Sequence, residues 1–519
     1  GERVRIERGS RVWPDSDFII RYTQGPEPAR QQVSANATFL RADDLLPFMQ
    51  ALIPVQLQEA GFTGSVTGDF SDLGLELELI DSEMDSFELD SFKLDVQFLN
   101  LGYVSFDKGF DISGFSGRVA ADNGGGNLEI NTRDARFGVA EIFREVLDVS
   151  LLEGLAIWRA GPQGYRVLAD GIRLETPEGS ATASLELGLD QDLANPINDL
   201  NAEAKLDAVS AAPRYLPKML PSKVLEWLDV ALLGGKVVSS DIKMQGPLKK
   251  FPYADGEGIF QIGVNFVDGA LNYAPGWPMM EEACGRLVFD GPSLYSIENK
   301  STVSGIEVEN IDFRIDDLRA GVINLSGAGP LRVENLLTFL QQSPVGDALG
   351  PIFADVQAVG AADASGKLVL PVKDLASWQF AGQVKTTDAE AGLRDISYRL
   401  TDIEGTARIQ NAQVSADDLT AKFLDESVTI QVEPVNKPGA AISHRAVLAG
   451  ELPINKIQAA LQLPPTALLS GDIGVTAQAL FPLRTRTREE SNAADVGEQA
   501  EFRLLLRSDL EGLTSRLPY

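Results

Sequence analysis

The sequence is poor in the residues from which most catalytic and metal sites are built. Its 519 residues include one cysteine, Cys284, and one histidine, His444. A single cysteine excludes an intrachain disulfide and a thiolate metal cluster. It leaves the compartment open between a reducing cytosol and an exported bacterial protein that does without disulfides. A single histidine excludes zinc sites built on several imidazoles and gives a Ser-His-Asp or Cys-His arrangement one stretch to use, "ISHRAVL". That stretch has no cysteine nearby and reads as a strand carrying a structural histidine. Basic residues are outnumbered, 45 against 75 acidic, for a net charge of −30. The concentrated basic surface that nucleic acid requires is therefore missing, and the acidity serves solubility.

Other absences narrow the choice further. There is no run of about 18 apolar residues, and "GERVRIERGSRVW" is not a signal peptide. The chain starts in strand-forming sequence, as expected for a soluble segment excised from a larger protein. No Walker loop or GxSxG elbow occurs, and "DGEGIFQIG" (Asp255 to Gly263) lacks the third glycine and leads into a strand, so it is a turn. The acidic stretch Asp81 to Asp90 lacks EF-hand spacing. A pair of carboxylates for glycoside hydrolysis is not singled out among the 75 acids, and at 7% aromatics the chain is short of sugar platforms. The expectation is a protein without catalytic residues, metal or cofactor. The basic run Arg484 to Arg488 reads as a hairpin loop.

What the chain does contain is a repeated strand. "FKLDVQF" (Phe92 to Phe98) and "FQIGVNF" (Phe260 to Phe266) put four apolar side chains on one side of an extended segment. Counting 25 residues on from Phe92, Phe260 and Phe380 reaches Gly117, Gly285 and Gly405. "LELELI" (Leu75 to Ile80), "ASLELGLD" (Ala183 to Asp190), "GIEVEN" (Gly305 to Asn310) and "VTIQVE" (Val428 to Glu433) alternate in the same way. "DNGGGN", "DGP" and "NKPG" mark turns between strands. "IEVENIDFRI" slips phase between Val308 and Ile311, the signature of a bulge.

Four short helical stretches with leucines at helical spacing interrupt the strands, each with proline near its close: Pro54, Pro221, Pro344 and Pro464. These prolines lie 167, 123 and 120 residues apart, and the apolar strand recurs after 168 and 120. Two independent markers thus give one period. The units expected are 1–39 as incoming strands, 40–208 with an insertion, 209–328, 329–449 and a truncated 450–519.

Such strands leave two architectures open. Two sheets pack into a long sandwich, or one sheet curls so that its apolar face lines a trough. At about 4.8 Å per strand, roughly 25 strands would give a trough on the order of 100 Å, a track for lipids.

The stretch Leu216 to Gly291 bears on that choice. Its "WLDxAL" helix (Trp227 to Leu232), "GPL" at Gly246, "FPYADGEG" at Phe251 and "LNYAPGWP" ending at Pro278 together resemble the YhdP-like branch of the AsmA-like family. The similarity is strong over about 210–330 and extends through the repeats. It implies a mainly β fold, an elongated and curled antiparallel sheet forming a taco-like β-groove of repeated units, braced by a few short helices. It further implies a periplasmic segment of a bridge-like lipid transfer protein, tethered to the inner membrane in its full-length form. The implied partners are phospholipids, with the inner and outer membranes reached through parts absent from this chain. This chain lacks the family's transmembrane helix, and no nucleic acid partner or oligomer is expected.

Under that reading Phe92, Leu94, Val96 and Phe98, with Phe260, Ile262, Val264 and Phe266, line the trough beside fatty tails. Leu75, Leu77 and Leu79, then Leu185, Leu187 and Leu189, extend it. So do Ile306, Val308, Phe313 and Ile315, and further along Val428, Ile430 and Val432. The opposing assignment for each is closed hydrophobic core. "YAPGWP" is expected to be a rigid turn at the rim with Trp277 in reach of headgroups, and Trp227 to pack its helix on the sheet. The competing function is a scaffold offering strand edges to outer-membrane proteins.

Overall fold

A computed structural model describes residues 3–516 except 5, 9–10, 25–29, 45–63, 83–85, 106–108, 193, 217, 219–221, 252, 254, 350, 395, 412, 436–441, 464–467 and 483–502. Strands make up 69% of the protein, and 25 of them form one antiparallel sheet that is not closed into a barrel. The strands follow one another in sequence order along it. Period-2 alternation fixes this outcome locally, because each side of a strand meets a different environment. The turns expected at Asp122 to Asn127 and at Asp290 to Pro292 close hairpins, the first by pairing Asp122 with Gly125. Ile306–Glu309 and Asp312–Ile315 are separate strands, broken at Asn310 with its φ of 53°. Asn299 clamps this break, its Oδ1 accepting from Ile311 N and its Nδ2 donating to Ile311 O, both at 2.7 Å.

The repeat is visible in the ladder. Phe98 pairs with Gly117, and Thr386, at the corresponding place of the third apolar strand, pairs with Gly405. A Cβ on Gly117 would lie 2.1 Å from Glu129 O and 2.7 Å from the Phe98 ring, so backbone and ring together select glycine there.

Five short helices are described: α1 Ala212–Tyr215, α2 Ser222–Ala231, α3 Val333–Gln341, α4 Pro344–Leu349 and α5 Ile454–Ala460. The second expected helical stretch is thus two helices, and the next strand begins already at Leu232. Of the first expected stretch only a turn at 42–44 lies within the described residues. Pro54, Pro221, Pro464, "NKPG" and the basic run Arg484 to Arg488 fall outside them. Among the described residues no helix is long and apolar enough to cross a membrane.

The chain divides into two compact units. The first comprises Gly1–Asp229, Gly234–Val267 and Arg286–Leu294, and the second Val230–Leu233, Asp268–Gly285 and Tyr295–Tyr519. In the first, α2 buries Val224 and Leu225 while Trp227 is half-buried. In the second, α3 buries Leu340 and is held to the strand Val356–Pro371, where Gly360 N donates to Glu334 Oε2 at 3.2 Å. Gln341 Nε2 donates to the carbonyls of Phe353 and Val356 at 2.9 and 3.0 Å.

Candidate functional site

In the first unit the register assembles one apolar face from many strands. One row runs Ile20, Ala35, Leu75, Leu94, Ala121, Gly126, Trp158, Val167 and Leu187, each directly opposite the next on the neighbouring strand. A second runs Val96, Val119, Leu128, Ala156, Ala169, Leu185, Leu200 and Met244. Tyr22, Val33, Leu77 and Phe92 make a shorter third, and Leu189 stands opposite Tyr165. Directly opposed residues share a face, so Leu75, Leu77, Phe92, Leu94, Val96, Leu185, Leu187 and Leu189 are brought together. No Asp, Glu, Lys, Arg or His stands on these rows.

Most of these side chains are half-buried, though Ile20 and Tyr22 at one end are exposed and Ala169 is buried. Leu75, Leu77, Leu79, Phe92, Leu94, Leu185, Leu187 and Leu189 are half-buried, while Val96 and Phe98 are 6% and 8% exposed. The other face of the same strands is charged. Arg118 donates to both carboxylate oxygens of Asp95 at 2.8 and 2.6 Å, and Arg166 pairs with Glu186 at 2.6 Å. The bond from Arg118 holds the Asp95 carboxyl below the usual carboxylate range. Exposed Leu155, Ile157 and Leu168 interrupt the charge on that side.

Further along, Phe260, Ile262, Val264 and Phe266 are half-buried on one strand, with the Phe251 ring edge-on to Phe260 at 4.9 Å. Tyr253 beside them is buried, and its hydroxyl donates to Asn198 Oδ1 at 3.0 Å.

The second unit contains a sealed region. Val428 and Ile430 belong to a buried cluster with Ala389, Ile403, Ala421, Leu452, Ile457, Ile473 and Val475; Val432 flanks it. Ile457 comes from α5, whose Lys456 Nζ donates to Leu424 O at 2.7 Å. Ile315 is also buried, whereas Ile306, Val308 and Phe313 are half-buried. His444 lies 6% exposed between Pro434 and Phe481, its Nε2 accepting from Val414 N at 2.9 Å. Burial pushes its pKa down, and an acceptor nitrogen means a neutral ring. That is a structural histidine, as its strand context suggests.

Trp277 is not at a rim. It is 5% exposed, packed against Tyr273, Phe339, Trp378 and Phe380 with ring centroids 5.6–6.4 Å apart. The turn "YAPGWP" folds the indole inward, because so large an apolar ring is stabilised more by neighbouring aromatics than by water. The Trp277 ring is therefore not exposed on its turn, where headgroup contact would require it.

Sequence reading passed over Val119, Leu128, Trp158, Val167 and Leu200, which complete the rows. The signal is present in the alternation of "NLEINT" and "LAIWRA", but only the ladder shows which of the two faces each joins. Among the described residues no three His, Cys, Asp or Glu side chains converge as a metal site.

The fold is thus an antiparallel sheet, not closed into a barrel, that carries uncharged apolar rows in its first unit, and residues 1–519 match the family described as YhdP protein. The chain belongs to that family. It is similar to the intermembrane phospholipid transporter YhdP of Escherichia coli (strain K12), 22% identical over 348 residues, which cover 64% of this chain and 26% of that protein. The chain thus spans only about a quarter of its relative's length. No solved structure matches it.

Proposed function

We propose that this chain is a periplasmic part of a bridge-like phospholipid transfer protein and carries acyl chains along the apolar face of its sheet. The observation that carries this reading is the set of uncharged rows from Ile20 to Leu187 and from Val96 to Met244, half-buried along most of their length. A sandwich interior would exclude solvent from such residues; a concave face open along one side leaves them partly accessible. Each methylene moved from water onto this surface gains about 0.8 kcal/mol. The uniformity of the rows lets a tail slide without a deep minimum. Headgroups stay in water at the open margin. No proton transfer or nucleophile is needed, so the protein acts by diffusion of its cargo and not as an enzyme.

The repeat units 40–208, 209–328, 329–449 and 450–519 each contribute strands to the face, and tethering to the inner membrane belongs to the longer protein. The chain works as a monomer. Val428 and Ile430 serve packing under α5, and lipid contact is assigned to the half-buried residues of the first unit and to Phe260, Ile262, Val264 and Phe266.

The test is native mass spectrometry with lipid extraction on the gently purified chain. Several phospholipids per chain are expected, lost in Leu94→Asp and Leu187→Asp and kept in Asn127→Asp on the charged face. A folded wild-type chain free of lipid would overturn the proposal in favour of a scaffold that presents strand edges.

A further inference from the structure

Four successive strands of the first unit are bent at adjoining places. Gly68, Asn100, Gly114 and Asp134 have φ of 112°, 51°, 82° and 56°, and the ladder slips register beside the first three. A Cβ on Gly68 would lie 2.7 Å from Asn100 O, and one on Gly114 would lie 3.1 Å from Asp134 O, so these bends touch pairwise. A bulge bends its strand, and bulges aligned across neighbours crease the sheet along a line.

Where the ladder slips, backbone groups lose their usual partners and must find others. Thr132 supplies them. Ser116 N donates to Thr132 Oγ1 at 2.8 Å, and that hydroxyl donates to Ser116 O at 3.0 Å. Ser116 Oγ in turn accepts from Asn100 N at 3.0 Å. Thr132 is 0% exposed and stands opposite Leu152, on the apolar face with Leu128 and Ile130. One hydroxyl thus satisfies both backbone groups of a residue at the crease, and a second joins the next strand.

We propose that Thr132 is a positioning residue for lipid binding: through Ser116 and Asn100 it fixes the crease, and so sets the width of the apolar face and the number of tails that lie abreast. The inference rests on the lipid reading above. Valine has the shape of threonine but leaves Ser116 N–H and C=O unpaired in apolar surroundings, which a crease can relieve only by moving.

The test uses the full chain with Thr132→Val, Thr132→Ser and Ser116→Ala, read by amide hydrogen exchange and by native mass spectrometry after incubation with phosphatidylethanolamine vesicles of mixed acyl length. Thr132→Val should stay folded, exchange about tenfold faster at Ser116 and Asn100, and leave Gly179–Leu189 unchanged. Its bound lipid should differ from wild type in number per chain and in acyl-length distribution, with Thr132→Ser restoring both. Ser116→Ala should release Asn100 alone, and it carries the test if Thr132→Val does not fold. Exchange and lipid profile unchanged in Thr132→Val, on a chain that carries lipid, would overturn this inference alone. A lipid-free wild type would overturn the reading on which it rests.

Discussion

The strands from Gly64 to Leu206 and those from Leu400 to Pro482 are built on the same alternation, yet they end in different environments. In the first region Leu75, Leu94, Leu185 and Leu187 stay half-buried on an uncharged face. In the second Val428, Leu452 and Ile473 are sealed at 3%, 2% and 4% exposure, with Ile457 of α5 beside them. The difference does not come from the strands, whose patterns are interchangeable. It comes from what lies on the sheet: Ile457 of the seven-residue helix α5 is part of the sealed cluster, and Val333 of α3 and Leu513 pack against it. An apolar sheet face is therefore core or binding surface according to what covers it.

The contrast is most sharply broken by charge. Val428→Asp should cost more than about 4 kcal/mol, because a carboxylate there has neither water nor partner. The second unit should lose its cooperative transition in thermal denaturation followed by circular dichroism. Ile457→Ala removes the covering side chain and should cost about 2–4 kcal/mol in the same experiment. It should also make Val428 and Ile430 accessible to a hydrophobic dye.

Leu187→Asp, on the half-buried face, should abolish lipid retention while costing under about 1.5 kcal/mol, since the carboxylate keeps some water. A cost equal to that of Val428→Asp, measured by denaturant titration, would erase the distinction between the two regions.

A smaller effect concerns pH. Burial lowers the His444 pKa from its ordinary 6.5. As pH falls through that value the unfolded chain binds a proton that the folded chain still refuses. Stability is therefore full above it and declines towards the lowered folded value. His444→Asn should flatten the decline between about pH 7 and pH 5.5 in a series of urea midpoints.

The smallest effect is expected from Asp95→Asn on the charged face. Arg118 depresses that carboxyl, so its contribution is present above the usual carboxylate range and fades as pH drops below it. The pair is exposed and screened by salt, so the melting temperature at neutral pH should hardly move.

Much of the fold is legible in the residues. "FKLDVQF", "LELELI" and "VTIQVE" can only alternate as strands, and "DNGGGN" can only turn, because period 2 and glycine-rich punctuation leave little else. The phase slip at Asn310 and the structural role of His444 are readable for the same local reasons. Trp277 was not, because whether an aromatic in a proline turn points outward depends on Phe339, Trp378 and Phe380, up to about a hundred residues away. The rows through Trp158 and Val167 were half legible: alternation shows that each strand has two faces, and only cross-strand register says which one Leu94 shares.

By itself, then, the sequence determined a chain of antiparallel strands with one greased side. These are local properties, set by side-chain alternation and turn chemistry within a few residues. Tertiary structure alone decided that Leu187 is left half-open while Val428 is sealed, and that Thr132 stands in for a missing ladder partner at the crease. Exposure is a relation between distant segments, and no single strand carries the information about what will lie against it.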